Sequence, residues 1–83
     1  MSNINRSQAV DLLACAMEEI TNAEESDSSI RAIFKAGVAY GLAKAADIVP
    51  LSDGALKYIN DFADMKNLAR ETARKAASTD IDL

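Results

Sequence analysis

The chain has 83 residues, a net charge of −4, one cysteine and no histidine. This length suits one domain and is too short for two, since domains usually hold ~50 to 250 residues. A lone cysteine excludes an intramolecular disulfide, and the lack of histidine removes a common zinc ligand and the commonest general base. We therefore expect one domain over residues 1–83, without catalytic activity, cofactor or metal.

Hydrophobic residues make up 49% of the chain, but sixteen of them are alanine, so the larger apolar side chains form only a thin core. Below ~70 to 80 residues a single core rarely supplies more than ~3 to 5 kcal/mol without a staple or a partner chain. Since neither a disulfide nor a zinc site is available, we predict that the chain is a homo-oligomer, with a dimer as the simplest form.

Apolar residues recur every three or four positions along almost the whole chain, which is typical of helices. Polar or helix-breaking residues interrupt this pattern at 26–29 and 49–54. The pattern predicts an all-α bundle of three helices of about twenty residues each, followed by a flexible polar tail at 78–83. No long apolar run is present, so we expect no signal peptide and no membrane span, and a cytoplasmic location.

The first helix is predicted to begin near residues 5–7, where Asn5 or Ser7 caps it, and to end near Glu25. Its apolar arc consists of Ala9, Val10, Leu13, Ala16, Met17, Ile20 and Ala23. Cys15 projects among acidic residues on the opposite side, where like charge disfavours the thiolate. We interpret it as an inert surface thiol.

The second helix is predicted to start after Ser28 or Ser29 and to end before Pro50. One side of it, named here the glycine face, comprises Ile30, Ile33, Phe34, Gly37, Val38, Gly41, Ala45 and Ile48. Each glycine costs ~1 kcal/mol relative to alanine inside a helix, so two on one face favour a close approach by another helix. Simple tolerance of glycine in a bent helix is the alternative. If the glycines lie at such a contact, leucine at Gly37 or Gly41 is more harmful than leucine at Ala39.

The other side of this helix, the alanine face, carries Ala32, Ala36, Ala39, Ala43 and Ala46. Small residues on both sides are compatible with two contacts, one inside the protomer and one across a dimer. High helix propensity alone also explains the alanines.

The third helix is predicted to begin after Ser52 or Asp53, with Ala55, Leu56, Ile59, Phe62 and Ala63 on its inner side. The apolar arc weakens beyond that point, so a break between Asp64 and Asn67 would give a fourth helix. Leu68 falls on the polar side and is a candidate partner contact.

Lys66, Arg70 and Arg74 recur every fourth residue and form a basic edge on the third helix. Such an edge suits an acidic protein surface, the acidic first helix or phosphates. The acidic balance and the lack of interleaved aromatic residues argue against nucleic acid. We therefore expect a helical accessory or regulatory protein, of a style common in bacteria and phages, that self-associates and binds a protein partner. A small nucleic-acid-binding regulator that uses the basic edge is the alternative.

Overall fold

The computed structural model describes residues 3–81 and contains three long helices: α1 (Arg6–Glu24), α2 (Ser29–Ile48) and α3 (Ile59–Ile81). Consecutive helices run antiparallel in a rod of 48 × 19 × 15 Å. No strand forms among residues 3–81, where the only extended pairing is a single bridge between Ile4 and Leu51. The predicted all-α fold of three helices is confirmed.

The first two helices begin and end where the sequence predicts. Asn5 accepts a 2.9 Å hydrogen bond from the Gln8 amide, and the Gln8 side chain accepts one of 3.0 Å from the Asn5 amide. This reciprocal arrangement satisfies two amide groups that the first turn of a helix leaves unpaired. The Ser28 hydroxyl likewise accepts from the Arg31 amide at the start of α2. Pro50 follows the last turn of α2, since a proline disfavours helical geometry at the residue before it.

The core consists mainly of alanines packed between helices. Three clusters follow one another along the rod: one includes Ala9 and Ala43, the next Ala16 and Ala39, and the last Ala23 and Ala32. Because alanine projects only a methyl group, the helix backbones approach closely, and the larger buried side chains, Ile4, Ile20 and Phe62, fill the remaining space. The alanine face of α2 is thus its contact inside the protomer.

The segment before α3 differs from the prediction. Backbone hydrogen bonds from Ile4 to the Pro50 carbonyl and from Ser52 to the Ile4 carbonyl tie the entry of α1 to this loop. The chain then turns through a short 3₁₀ helix at Leu56–Tyr58 before α3 begins. As a result Ala55 and Phe62 are buried as predicted, whereas Leu56, Ile59 and Ala63 are exposed.

Helix α3 continues without a break between Asp64 and Asn67. Met65 on this stretch packs against two of the core clusters, so the weak apolar arc is still sufficient to hold the helix against its neighbours. The helix extends to Ile81 and includes part of the segment predicted as a tail. Asp82 and Leu83 lie outside the described residues, and the mobility of 78–83 stays a prediction.

Candidate interaction surface

The glycine face of α2 points away from α1 and α3. Successive residues of a helix are rotated by ~100°, so Gly37, Gly41 and the side chains aligned with them lie opposite Ala39, which has no exposed surface. Ile30 is 77% exposed, Phe34 66% and Ile48 75%. Large apolar side chains therefore line both ends of a helix face whose centre nothing in the protomer covers.

Both glycines at the centre of this face are exposed and meet no other helix of the protomer. A methyl group added at Gly37 or Gly41 would have no atom within 4 Å outside its own stretch of helix. The close approach predicted at these glycines does not occur inside the protomer, because the alanine face makes that contact instead. Their role in contact with another chain stays a prediction.

On one side, the glycine face borders α1. Lys35 forms an ion pair with Glu19 of α1, with a Nζ–Oε2 distance of 3.7 Å. Farther along, a shallow groove of about 450 Å³ opens between the two helices. The groove is mostly apolar and includes Leu12, Cys15, Leu42, Ala45 and Val49. Ala45 and Val38 on this border are half-buried.

On the other side, the glycine face borders α3. Ile33 and Gly37 line a smaller groove of about 270 Å³ together with Arg70 and Ala73. Lys44 lies on the same border, and its ammonium group is 5.7 Å from the centre of the Tyr40 ring. The positive end of Lys44 is thereby drawn towards α3, away from the middle of the face.

Two residues of the basic edge are engaged with α2 and not with the acidic first helix. Lys66 pairs with Asp47, with a Nζ–Oδ2 distance of 2.7 Å. Arg70 donates a 2.9 Å hydrogen bond to the Tyr40 hydroxyl, and its guanidinium carbon lies 5.1 Å from the centre of the ring. Arg74 is exposed. Lys66 and Arg70 thus help to hold α3 against α2, and Arg70 also lines the groove beside the glycine face.

The hydrogen bond from Arg70 lowers the pKa of Tyr40, with smaller contributions from the positive charges of Arg70, Lys44 and Lys66. A donor that points at the oxygen stabilises the phenolate more than the neutral phenol. Tyr40 was not among the predicted contact residues. Tyr40 lies between the alanine face and the glycine face of α2. This position is the sequence signal that could have identified it as a contact with a neighbouring helix.

Leu68 does not lie on the polar surface, as the sequence suggested. It is half-buried and packs against the middle cluster of Ala16, Ile20, Ala39 and Ala69. The prediction for Leu68 assumed that only one narrow side of α3 is buried. Because α3 contacts both α1 and α2, a wider part of its surface is buried, and this part includes Leu68. Leu68 therefore packs against the core instead of standing fully exposed, and its role in contact with a partner stays a prediction.

Cys15 is exposed, as predicted. Within residues 3–81, histidine, cysteine, aspartate and glutamate side chains nowhere gather in a group of three that would hold a metal ion. None of the helices in the described part of the chain combines the length and hydropathy that crossing a bilayer requires.

Comparisons of the chain with protein-family models, with curated proteins and with solved structures gave no significant match.

Proposed function

We propose that this protein is a non-enzymatic accessory or regulatory module that self-associates and binds another protein, and that the glycine face of α2 is the surface it uses. The observation that supports this most is the exposure of Ile30, Phe34 and Ile48, which line the two ends of one helix face. Exposed apolar residues scattered singly are ordinary, but several large ones aligned on the same side of one helix are typical of an interaction site.

The two glycines add a reason for the partner to be a helix. In an exposed helix, alanine at Gly37 or Gly41 would be more stable by ~1 kcal/mol for each residue, and the protomer has space for it. A helix that packs across these positions gains close backbone contact that a side chain at either glycine would block.

The basic edge gives less support to the alternative of nucleic-acid binding. Lys66 and Arg70 make specific contacts with Asp47 and Tyr40, so that Arg74 is the member of the edge whose side chain is most available to phosphate. Phosphate binding by a single arginine is weak and is quickly lost as salt rises. We therefore favour protein binding over nucleic-acid binding.

The test is a comparison of two variants that add the same charge at different places. Phe34→Lys places an ammonium group on the glycine face, and Asn60→Lys places one on an exposed position of α3. Sedimentation velocity of the native chain and both variants measures association, and circular dichroism checks that each is folded. We expect Phe34→Lys alone to lose the associated species.

Equal association of both variants would overturn the assignment of this surface. A gel shift with nonspecific DNA that is lost in Arg74→Glu but retained in Phe34→Lys would favour the nucleic-acid alternative.

A further inference from the structure

We propose that the glycine face binds a helix of an acidic partner protein, which lies obliquely across α2 in a groove that begins against α3 and ends against α1, with carboxylates of the partner over Arg70 and Lys44. This inference rests on the proposed function and specifies the chemistry of the protein partner and how it lies. It is carried by the course of the groove and by the positive charge at one end of it.

The groove follows a row of residues spaced four apart on α2: Ile33, Gly37, Gly41, Ala45 and Val49. Each step of four residues turns by ~40° around the helix axis, so the row runs obliquely over the exposed side of α2. The cavity of about 270 Å³ against α3 contains the first two of these residues, and the cavity of about 450 Å³ against α1 contains the last two. Gly41 lies between them and has no side chain to close the passage. The two cavities are therefore the ends of one oblique groove.

Larger side chains stand on both sides of this groove. Ile30 and Phe34 flank it on one side, and Lys44 and Ile48 flank it on the other, all of them exposed. Rows of side chains four residues apart are the ridges and grooves through which helices pack, with axes that cross at about 50°. The row is ~24 Å long at ~1.5 Å per residue, which is the length of a helix of ~16 residues. A helix is thus the element that fits, and the glycines let its backbone come close.

Positive charge collects at the end of the groove against α3. Arg70 lines the cavity there, and its guanidinium carbon lies 5.1 Å from the centre of the Tyr40 ring. The Lys44 ammonium group lies 5.7 Å from the centre of the same ring. Neither cation forms an ion pair with a carboxylate of the described residues. The hydrogen bond to Tyr40 occupies one of the five N–H donors of Arg70, so both cations can bind an acidic group.

The carboxylates nearest to this end of the groove do not neutralise it. Asp47 is already held by Lys66, with a Nζ–Oδ2 distance of 2.7 Å. Glu71 follows Arg70 in the chain but projects from the outer side of α3, because it lies ~200° around the helix from the buried Ala69. The charge of Arg70 and Lys44 therefore remains unmatched inside the protomer.

The border against α1 adds further positive charge beside the first half of α2. Arg31 is exposed there, and Lys35 is paired with Glu19. Among the described residues, Asp11 is the one carboxylate that lines either cavity, and it lies at the opposite end of the groove from Arg70. A complementary helix therefore carries its acidic side chains at the end that lies against α3.

Two other occupants match these features less well. The glycine face of a second copy has no carboxylate of its own, so self-association leaves Arg70 and Lys44 unmatched. An anionic lipid surface is flat, whereas large side chains stand on both sides of the recessed glycines, and the chain has a net charge of −4. An acidic helix satisfies both the shape and the charge, and it competes with a second copy for the face.

Two synthetic peptides test the charge that the groove selects. Both are helices of ~16 residues with the same ridge of leucine and alanine, and one carries two glutamates in a terminal turn where the other carries two lysines. Fluorescence anisotropy measures the dissociation constant of each at low and at high salt. We expect the glutamate peptide to bind the native chain at least ~10-fold more tightly than the lysine peptide, and the difference to shrink as salt rises. Sedimentation of the native chain with the glutamate peptide should give one chain with one peptide instead of a dimer.

Matched variants locate the binding. Lys44→Glu reverses a charge beside the groove, whereas Lys57→Glu reverses one on an exposed residue that lines neither cavity. We expect the preference for glutamate to be lost in the first and kept in the second. Gly37→Leu fills the groove and should prevent binding of both peptides, whereas Asn67→Leu, on the outer side of α3, should not. Circular dichroism checks that every variant is folded.

Several results would overturn this inference. They are equal affinity for the two peptides, no binding of either below ~1 mM, or a preference for glutamate that persists in Lys44→Glu. In each case a native chain that still associates by sedimentation would leave the proposed function standing. Binding to phosphatidylserine vesicles that is lost in Lys44→Glu, without binding of the glutamate peptide, would identify a lipid surface in place of the acidic helix. A native chain that stays monomeric at every concentration and binds neither peptide would overturn both proposals.

Discussion

Ala39 and Gly41 lie two residues apart on α2 and have opposite surroundings: Ala39 has no exposed surface, whereas a methyl group on Gly41 would meet no other part of the protomer within 4 Å. The same helix therefore has one face covered by its own chain and another face that the protomer leaves exposed.

This relationship reverses the ranking that the glycines suggested from sequence. We predict that Ala39→Leu lowers the free energy of unfolding by ~1 to 3 kcal/mol or more, because its added volume must be accommodated between α1, α2 and α3. Gly41→Leu keeps the protomer folded but prevents association. Urea denaturation at low concentration, together with sedimentation, separates the two effects. Equal loss of stability in both variants would contradict the burial of Ala39.

The contact between Arg70 and Tyr40 predicts a shifted phenol titration. In a Tyr58→Phe background, absorbance of the phenolate reports Tyr40 alone. We expect its pKa to lie below the usual value near 10, and to rise when Arg70→Gln removes the charge and the principal donor. An unchanged titration in Arg70→Gln would contradict the contact.

The same shift predicts a difference in stability. Because Tyr40 has a lower pKa in the folded chain than in the unfolded one, the unfolded chain binds more protons as pH rises through the folded pKa. The free energy of unfolding therefore increases with pH over that interval, and the increase is complete above pH ~10. We expect this rise to be smaller in Arg70→Gln than in the native chain when both are unfolded with urea at several pH values.

The ion pair between Lys66 and Asp47 is predicted to contribute little to stability. Its Nζ–Oδ2 distance is 2.7 Å, but the Asp47 side chain is 50% exposed. A double-mutant cycle with Lys66→Met and Asp47→Asn should give a coupling energy of ~0.2 to 1 kcal/mol that decreases with salt. A coupling above ~2 kcal/mol would mean that the pair is far better shielded from water than these exposures indicate.

Much of the fold could be predicted because its signals are local. Asn5, Ser28 and Pro50 fix the helix ends through hydrogen bonds and steric restrictions that involve only neighbouring residues. Hydrophobicity also identified the two faces of α2, but it did not show which face lies inside the protomer. Alanines of α1 and α3 pack against Ala36 and Ala39, whereas Phe34 projects from the other side of α2. This complementarity depends on three helices at once, as does the inner position of Leu68.

Association also predicts a melting temperature that depends on concentration. If pairing stabilises the folded chain, the apparent melting temperature rises with protein concentration by mass action. Gly37→Leu, which we expect to remain monomeric, should melt at the same temperature across that range. If the melting temperature rises equally with concentration in both proteins, the glycine face is not the cause of the concentration dependence.

Sedimentation equilibrium of the native chain over ~10 to 500 µM tests the central claim, that the glycine face is a contact surface for another copy, most directly. The account predicts a mass that approaches twice the 8.9 kDa of the chain as concentration rises, and a Phe34→Lys variant that stays at the lower mass. A mass of 8.9 kDa for the native chain at every concentration would contradict it.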